Sequence, residues 1–97
     1  MKEPGGPPAV FVPAESIAVN VRLHGPAADH ALQRELVVAL PATATTESLW
    51  DVLVTRMPAL DMLRAQCAVA IDNEWVAKGA HLHEGAVVDI IPPVSGG

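Results

Sequence analysis

Two stretches with a period of two residues, followed by one with helical spacing, constrain this chain more than any other feature. In "IAVNVRLH" the residues Ile17, Val19, Val21 and Leu23 alternate with Ala18, Asn20, Arg22 and His24. Side chains on a strand point alternately to its two faces, so this is a strand with one buried and one wet face. "RELVVAL" repeats the pattern with Leu36, Val38 and Leu40, and Pro41 closes it. Gly25-Pro26 opens "GPAADHA", which reads as a loop between the two strands of a hairpin that is not tight. The period then changes. In "ATATTESLWDVLVTRMPAL" the residues Leu49, Val52, Leu53 and Met57 follow helical spacing. Thr45 or Thr46 suits the N-cap, and Glu47 falls in the first turn, where the helix dipole favours an acid. Pro58 stops the helix near Met57.

The remaining elements are short. "ALDMLRAQ" predicts an extra turn of helix burying Leu60 and Leu63. "CAVAID" predicts a buried strand bounded by Asp72-Asn73, "EWVAKG" a weak edge strand or loop, and "VVDII" a last strand that Pro92-Pro93 ends. Gly85 marks a turn before it. The order is β-β-α-β-(β)-β, with no internal repeat. It predicts an α+β, ubiquitin-like β-grasp domain: a mixed sheet of four to five strands, its last strand near the middle, covered by one main helix. The domain spans 17–91. Residues 1–16, with four prolines and two glycines, read as a flexible leader that packs at most locally through Val10 and Phe11. Residues 92–97 form an extended tail.

Composition narrows the function classes. A chain of 97 residues holds one domain at most, and one this small buries only about 60–65% of its unfolded surface. Hydrophobic residues make up 51%, but aromatics are limited to Phe11, Trp50 and Trp75, so the core is aliphatic. The net charge of −5 leaves no basic cluster for a phosphate backbone, so no nucleic-acid partner is expected. An acidic surface suits solubility, or a partner with a basic docking site. Cys67 is the single cysteine, which excludes an internal disulfide and points to a reducing compartment. There is no apolar run of membrane-span length and no secretory signal, so the expected location is cytoplasmic.

The chemistry sits in "IIPPVSGG". Proline cannot donate to a ladder, so Pro92-Pro93 releases the chain from the sheet and stiffens its exit. Val94 to Gly97 then reach about 14 Å. Gly96 and Gly97 have no Cβ, so they can thread a channel too narrow for any other side chain. The terminus is a carboxylate on an unhindered carbon, a group that an activating enzyme can adenylate.

On these residues the chain resembles the MoaD/ThiS sulfur-carrier family, closest to the small, sulfur-carrier subunits of molybdopterin synthase. The resemblance runs from about Ile17 to Gly97, through "ESLWDVLVTRMPAL" at the helix and "AVAIDNEWVAKGAHLHEGAVVDIIPPVSGG" in the C-terminal half. It implies that an adenylyltransferase uses ATP to form an acyl-adenylate on Gly97 and that a sulfur donor converts this to a thiocarboxylate. The tail, Pro93 through Val94, Ser95 and Gly96, then enters a channel of the large subunit, in a heterotetrameric assembly. There the sulfur passes to cyclic pyranopterin monophosphate in molybdenum cofactor biosynthesis. Tethering supplies the nucleophilic sulfur at high effective concentration. The chain itself is then a non-catalytic subunit that binds no cofactor. Two departures stand out: Gly85-Ala86-Val87-Val88 replaces the usual Gly-Asp-Glu-Val, with the acid moved to Asp89, and His24 to Asp29 replaces a Phe-Ala and Arg-Glu pattern. The same activated terminus also serves a ubiquitin-like protein modifier, or a carrier for thiamine, cysteine or another thio-metabolite.

Other candidates are weaker. His81 and His83 share a face of an extended segment, but two imidazoles without a third ligand read as solvated turn residues, so no metal is expected. Cys67 opens an apolar strand with no nearby base, so it reads as a buried hydrophobe rather than a sulfur-relay thiol. Trp50 reads as a half-buried packing residue, and Trp75, beside a turn, is the better candidate of the two for an exposed partner contact.

Overall fold

The structure, a computed structural model, describes residues 16–93. β1 (Ser16–Leu23) leads through a short helix α1 (Pro26–Ala31) to β2 (Glu35–Pro41). Helix α2 (Thr46–Arg56) follows, then a 3₁₀ segment (Pro58–Leu63), β3 (Ala68–Ile71), β4 (Glu74–Trp75) and β5 (Val87–Ile91). The five strands form one sheet in the order β2-β1-β5-β3-β4. β5 lies in the middle, parallel to β1 and antiparallel to β3. β1 pairs antiparallel with β2, so the sheet is mixed. This is the β-grasp architecture expected from the order of periods.

The core follows the alternation. Val19, Val21, Val38, Val88 and Ile90 point to one side of the sheet and are fully buried. Leu49 and Leu53 of α2 and Leu60 of the 3₁₀ segment meet them there with no exposed surface. Each such side chain contributes about 1.5–3 kcal/mol by leaving water. Thr45 caps α2: its Oγ1 accepts from the Ser48 backbone N–H at 3.4 Å, and Ser48 Oγ accepts from the Thr45 N–H at 3.1 Å. Thr46, one residue on, is buried, and its hydroxyl accepts from the Gly79 N–H at 2.9 Å. The helix ends at Met57 before Pro58, as the proline requires.

Four local expectations are corrected. "GPAADHA" is not an open loop: Pro26–Ala31 is helical. Proline is pre-shaped for a first helical turn, and Ala27 and Ala28 are small enough to bury there. Leu32 ends α1 in the left-handed region at φ 59° with its side chain almost wholly exposed. β1 already begins at Ser16, which pairs with Pro41, so the strand takes in the last residue assigned to the leader. Trp50 is buried at 3% exposure rather than half-buried, because the 3₁₀ segment and β3 enclose that end of α2. Cys67 is only half-buried and lies just before β3. The turn at Asp72-Asn73 has both residues at positive φ (50° and 70°), the geometry that matches strand twist in a two-residue hairpin. Among the described residues no helix is long and apolar enough to cross a membrane.

Candidate functional site

β5 delivers the chain to the edge of the domain. Ile91 is half-buried, Pro92 is buried and Pro93 is exposed. The domain thus holds its grip through the first proline and releases at the second. Of the expected site residues, Pro93 is the last described; Val94, Ser95, Gly96 and Gly97 lie outside the described residues. The exit is central in the sheet, flanked by β1 and β3, so the strand carrying it is bonded on both sides.

At the base of the tail lies a polar cluster that the sequence did not announce as a site. Asp89, on β5, faces away from the helix and is only 5% exposed. Arg22, opposite it on β1, donates from Nε to Oδ1 at 2.7 Å and from Nη2 to Oδ2 at 2.9 Å. His24 Nε2 lies 2.8 Å from the same Oδ1. The two Arg22 bonds, then the His24 bond, hold the Asp89 carboxyl below its ordinary range, against the opposing effect of burial. The arginine is correspondingly raised by Asp89. The signal available beforehand was an acid inside the apolar run "VVDII"; which cation met it depended on the β1–β5 register, Arg22 to Asp89. Asp89 therefore ties β5 to β1 three residues before the first proline.

The same face of the sheet carries Val37, 62% exposed, and Trp75, 68% exposed. Trp75 pairs with Ala70, Ala70 with Asp89, Asp89 with Arg22 and Arg22 with Glu35, so one row crosses all five strands. Trp75, the better of the two candidates for an exposed contact, is thus an exposed aromatic on the face beside the tail exit.

The other candidates part company. His83 is held by Asp72, Nε2 to Oδ2 at 2.6 Å, with Nδ1 2.9 Å from the Glu84 carbonyl. The Glu84 carbonyl and then Asp72 raise the His83 pKa. His81 instead forms a bridge with Thr45. Among the described residues no group of three metal-ligating side chains comes together. Cys67 lines a cleft of about 350 Å³ with Trp50, Arg64 and Lys78 on the helix side. Arg64 is spoken for, donating to Asp51 at 2.9 Å and Glu47 at 3.1 Å. Burial pushes the Cys67 thiol up, away from the thiolate that nucleophilic chemistry needs.

Comparison with known proteins agrees with this geometry. A molybdopterin synthase sulfur carrier subunit of Arabidopsis thaliana is 29% identical over 82 residues, covering 84% of this chain and 85% of the relative. One from Caenorhabditis briggsae is 30% identical over 83 residues, covering 84% and 99%. Among solved structures, SAMP1 from Haloferax volcanii superposes with a TM-score of 0.75 at 27% identity, over 82% of this chain and 99% of that one. The family model of the ThiS family matches residues 17–97, the domain and tail together, and the chain belongs to that family.

Proposed function

We propose that this chain is the sulfur-carrier subunit of a molybdopterin synthase, and that Gly97 carries the sulfur. The observation that carries the reading is the junction: a β-grasp domain whose central strand β5 runs straight into Pro92-Pro93, beyond which the sequence is Val-Ser-Gly-Gly. Relatives named as molybdopterin synthase sulfur carrier subunits align over most of the chain, including that junction's domain. In the proposed sequence the Gly97 carboxylate attacks ATP, forming the acyl-adenylate and releasing pyrophosphate. Sulfide-level sulfur from a donor then attacks the acyl carbon, the bond to AMP breaks, and AMP leaves with the thiocarboxylate formed at Gly97. A large subunit binds the tail and transfers the sulfur to cyclic pyranopterin monophosphate. This chain binds, presents and tethers; the activating enzyme and the large subunit supply the catalytic groups. The elevated Cys67 thiol fits that division, since it makes a poor relay nucleophile.

Incubation with the activating enzyme, ATP and a sulfur donor should raise the intact mass by one oxygen-to-sulfur exchange, mapped to the C-terminal peptide. An unchanged mass with a competent activating enzyme overturns the reading. The likeness to SAMP1 favours a second one, in which a lysine amine displaces AMP and the chain becomes a protein modifier. Isopeptide adducts through Gly97 in a native lysate would support it; thiocarboxylate without adducts rejects it.

A further inference from the structure

The two edges of the sheet are not alike. β4 offers only two residues, Glu74–Trp75, which is too short to template another strand. β2 offers seven, in unbroken register with β1 from Glu35 to Pro41. The Leu23 N–H donates to the Arg34 carbonyl at 2.7 Å, so Arg34 turns its backbone groups toward β1. In an antiparallel ladder this alternates, so Leu36, Val38 and Leu40 also face β1 while Glu35, Val37 and Ala39 face outward. Among the described residues no hydrogen bond reaches the backbone of those three. Among the described residues the centre of this edge carries no lysine and no bulge, and its valine is 62% exposed.

We infer that β2 is a self-association edge, on which a second copy of this chain pairs antiparallel with Val37 opposite Val37 of the second copy. The register is self-complementary. Glu35 then exchanges both backbone bonds with Ala39 of the second copy, and Ala39 with its Glu35, as a two-fold axis requires. Pro41 has no N–H, and its carbonyl already accepts from the Ala44 N–H at 2.9 Å, which stops the pairing from sliding further along. Leu36, half-buried in one copy, lies across from Val38 of the other. The charged residue of the outward set, Glu35, meets an alanine. The two copies of Glu35 are four positions apart, about 14 Å at strand rise, which exceeds the roughly 8 Å screening length at physiological salt. β5 lies two strands inside the edge, so the exit at Pro93 stays uncovered in the pair. Self-association is therefore independent of the carrier reading and compatible with it.

Each copy carries −5, so association should be weak at low salt and tighten as salt screens the repulsion. Sedimentation of the full chain over a concentration series reaching the millimolar range should show the mass rising from monomer to dimer. The Val37 and Ala39 amides should exchange more slowly as concentration rises. Ala39→Pro removes an outward N–H and no bond to β1, and Val37→Lys places like charges on the axis; each should give a monomer with unchanged circular dichroism. If Ala39→Pro fails to fold, Val37→Lys carries the test alone. A monomer at every concentration and salt overturns the proposal, as does a dimer that both folded variants retain. Protection that is independent of concentration and lost on deleting residues 1–15 also overturns it, placing that segment on the edge.

Discussion

At the scale of single residues the cluster around Asp89 sets most of what can be tested. Its carboxyl is 5% exposed and receives two bonds from Arg22 and one contact from His24. Asp89→Asn keeps the volume and removes the charge, and should cost about 1–3 kcal/mol in urea unfolding at neutral pH. The sign with pH follows from the lowered pKa. A carboxyl depressed in the folded state contributes stability above its unfolded value near 3.9, and loses it as pH falls through the lower folded value. The gap between wild type and Asp89→Asn should therefore narrow below about pH 4. A gap constant down to pH 2 would mean that the ion pair is not its source. His83 runs the other way: raised in the folded state by the Glu84 carbonyl and Asp72, it stabilises below about pH 6.5 and loses that effect as pH rises through its folded value. His83→Gln should flatten the stability profile on that neutral-to-alkaline side.

At the scale of elements, α2 depends on its first turn. The reciprocal bonds between Thr45 and Ser48 satisfy backbone donors that a helix start otherwise leaves open. Thr45→Ala should lower stability by about 1 kcal/mol, read from the denaturation midpoint at unchanged slope. The proline boundaries, the N-cap and the apolar stripe of α2 were all legible beforehand because each is a local property of a few neighbouring residues. α1 was not. "GPAADHA" carries turn residues, and what makes it a helix is the burial of Ala27 and Ala28 against the rest of the core, a tertiary term.

At the scale of the whole molecule, stability and proposed function reside in different parts of the chain. Deleting Gly97 moves the carboxylate back by about 3.5 Å, and Gly96→Ala adds a methyl to the tail. Both should leave the melting temperature unchanged, while sulfur transfer to the large subunit falls about a hundredfold, as ångström-scale misplacement does. Full transfer by the Gly97 deletion would show that the reactive end lies elsewhere. Trp75→Ala should likewise spare the fold, within about 0.5 kcal/mol for so exposed a residue, and weaken partner binding in a titration if the open sheet face docks.

Alternation, capping and proline chemistry act over a few residues, so the periods, the element order, the boundaries of α2 and the Pro-Pro-Val-Ser-Gly-Gly stretch are all readable from the chain alone. The turn at Asp72-Asn73 also marked Trp75 as the better candidate of the two tryptophans for exposure, because a residue beside a tight turn has few neighbours to cover it. Which cation meets Asp89, how deeply Trp50 is enclosed, and that β2 rather than β4 presents the longer edge emerge with the fold. Those facts depend on register and strand order across separations such as Arg22 to Asp89, and a strand's pattern specifies which face is buried but not which strand lies beside it.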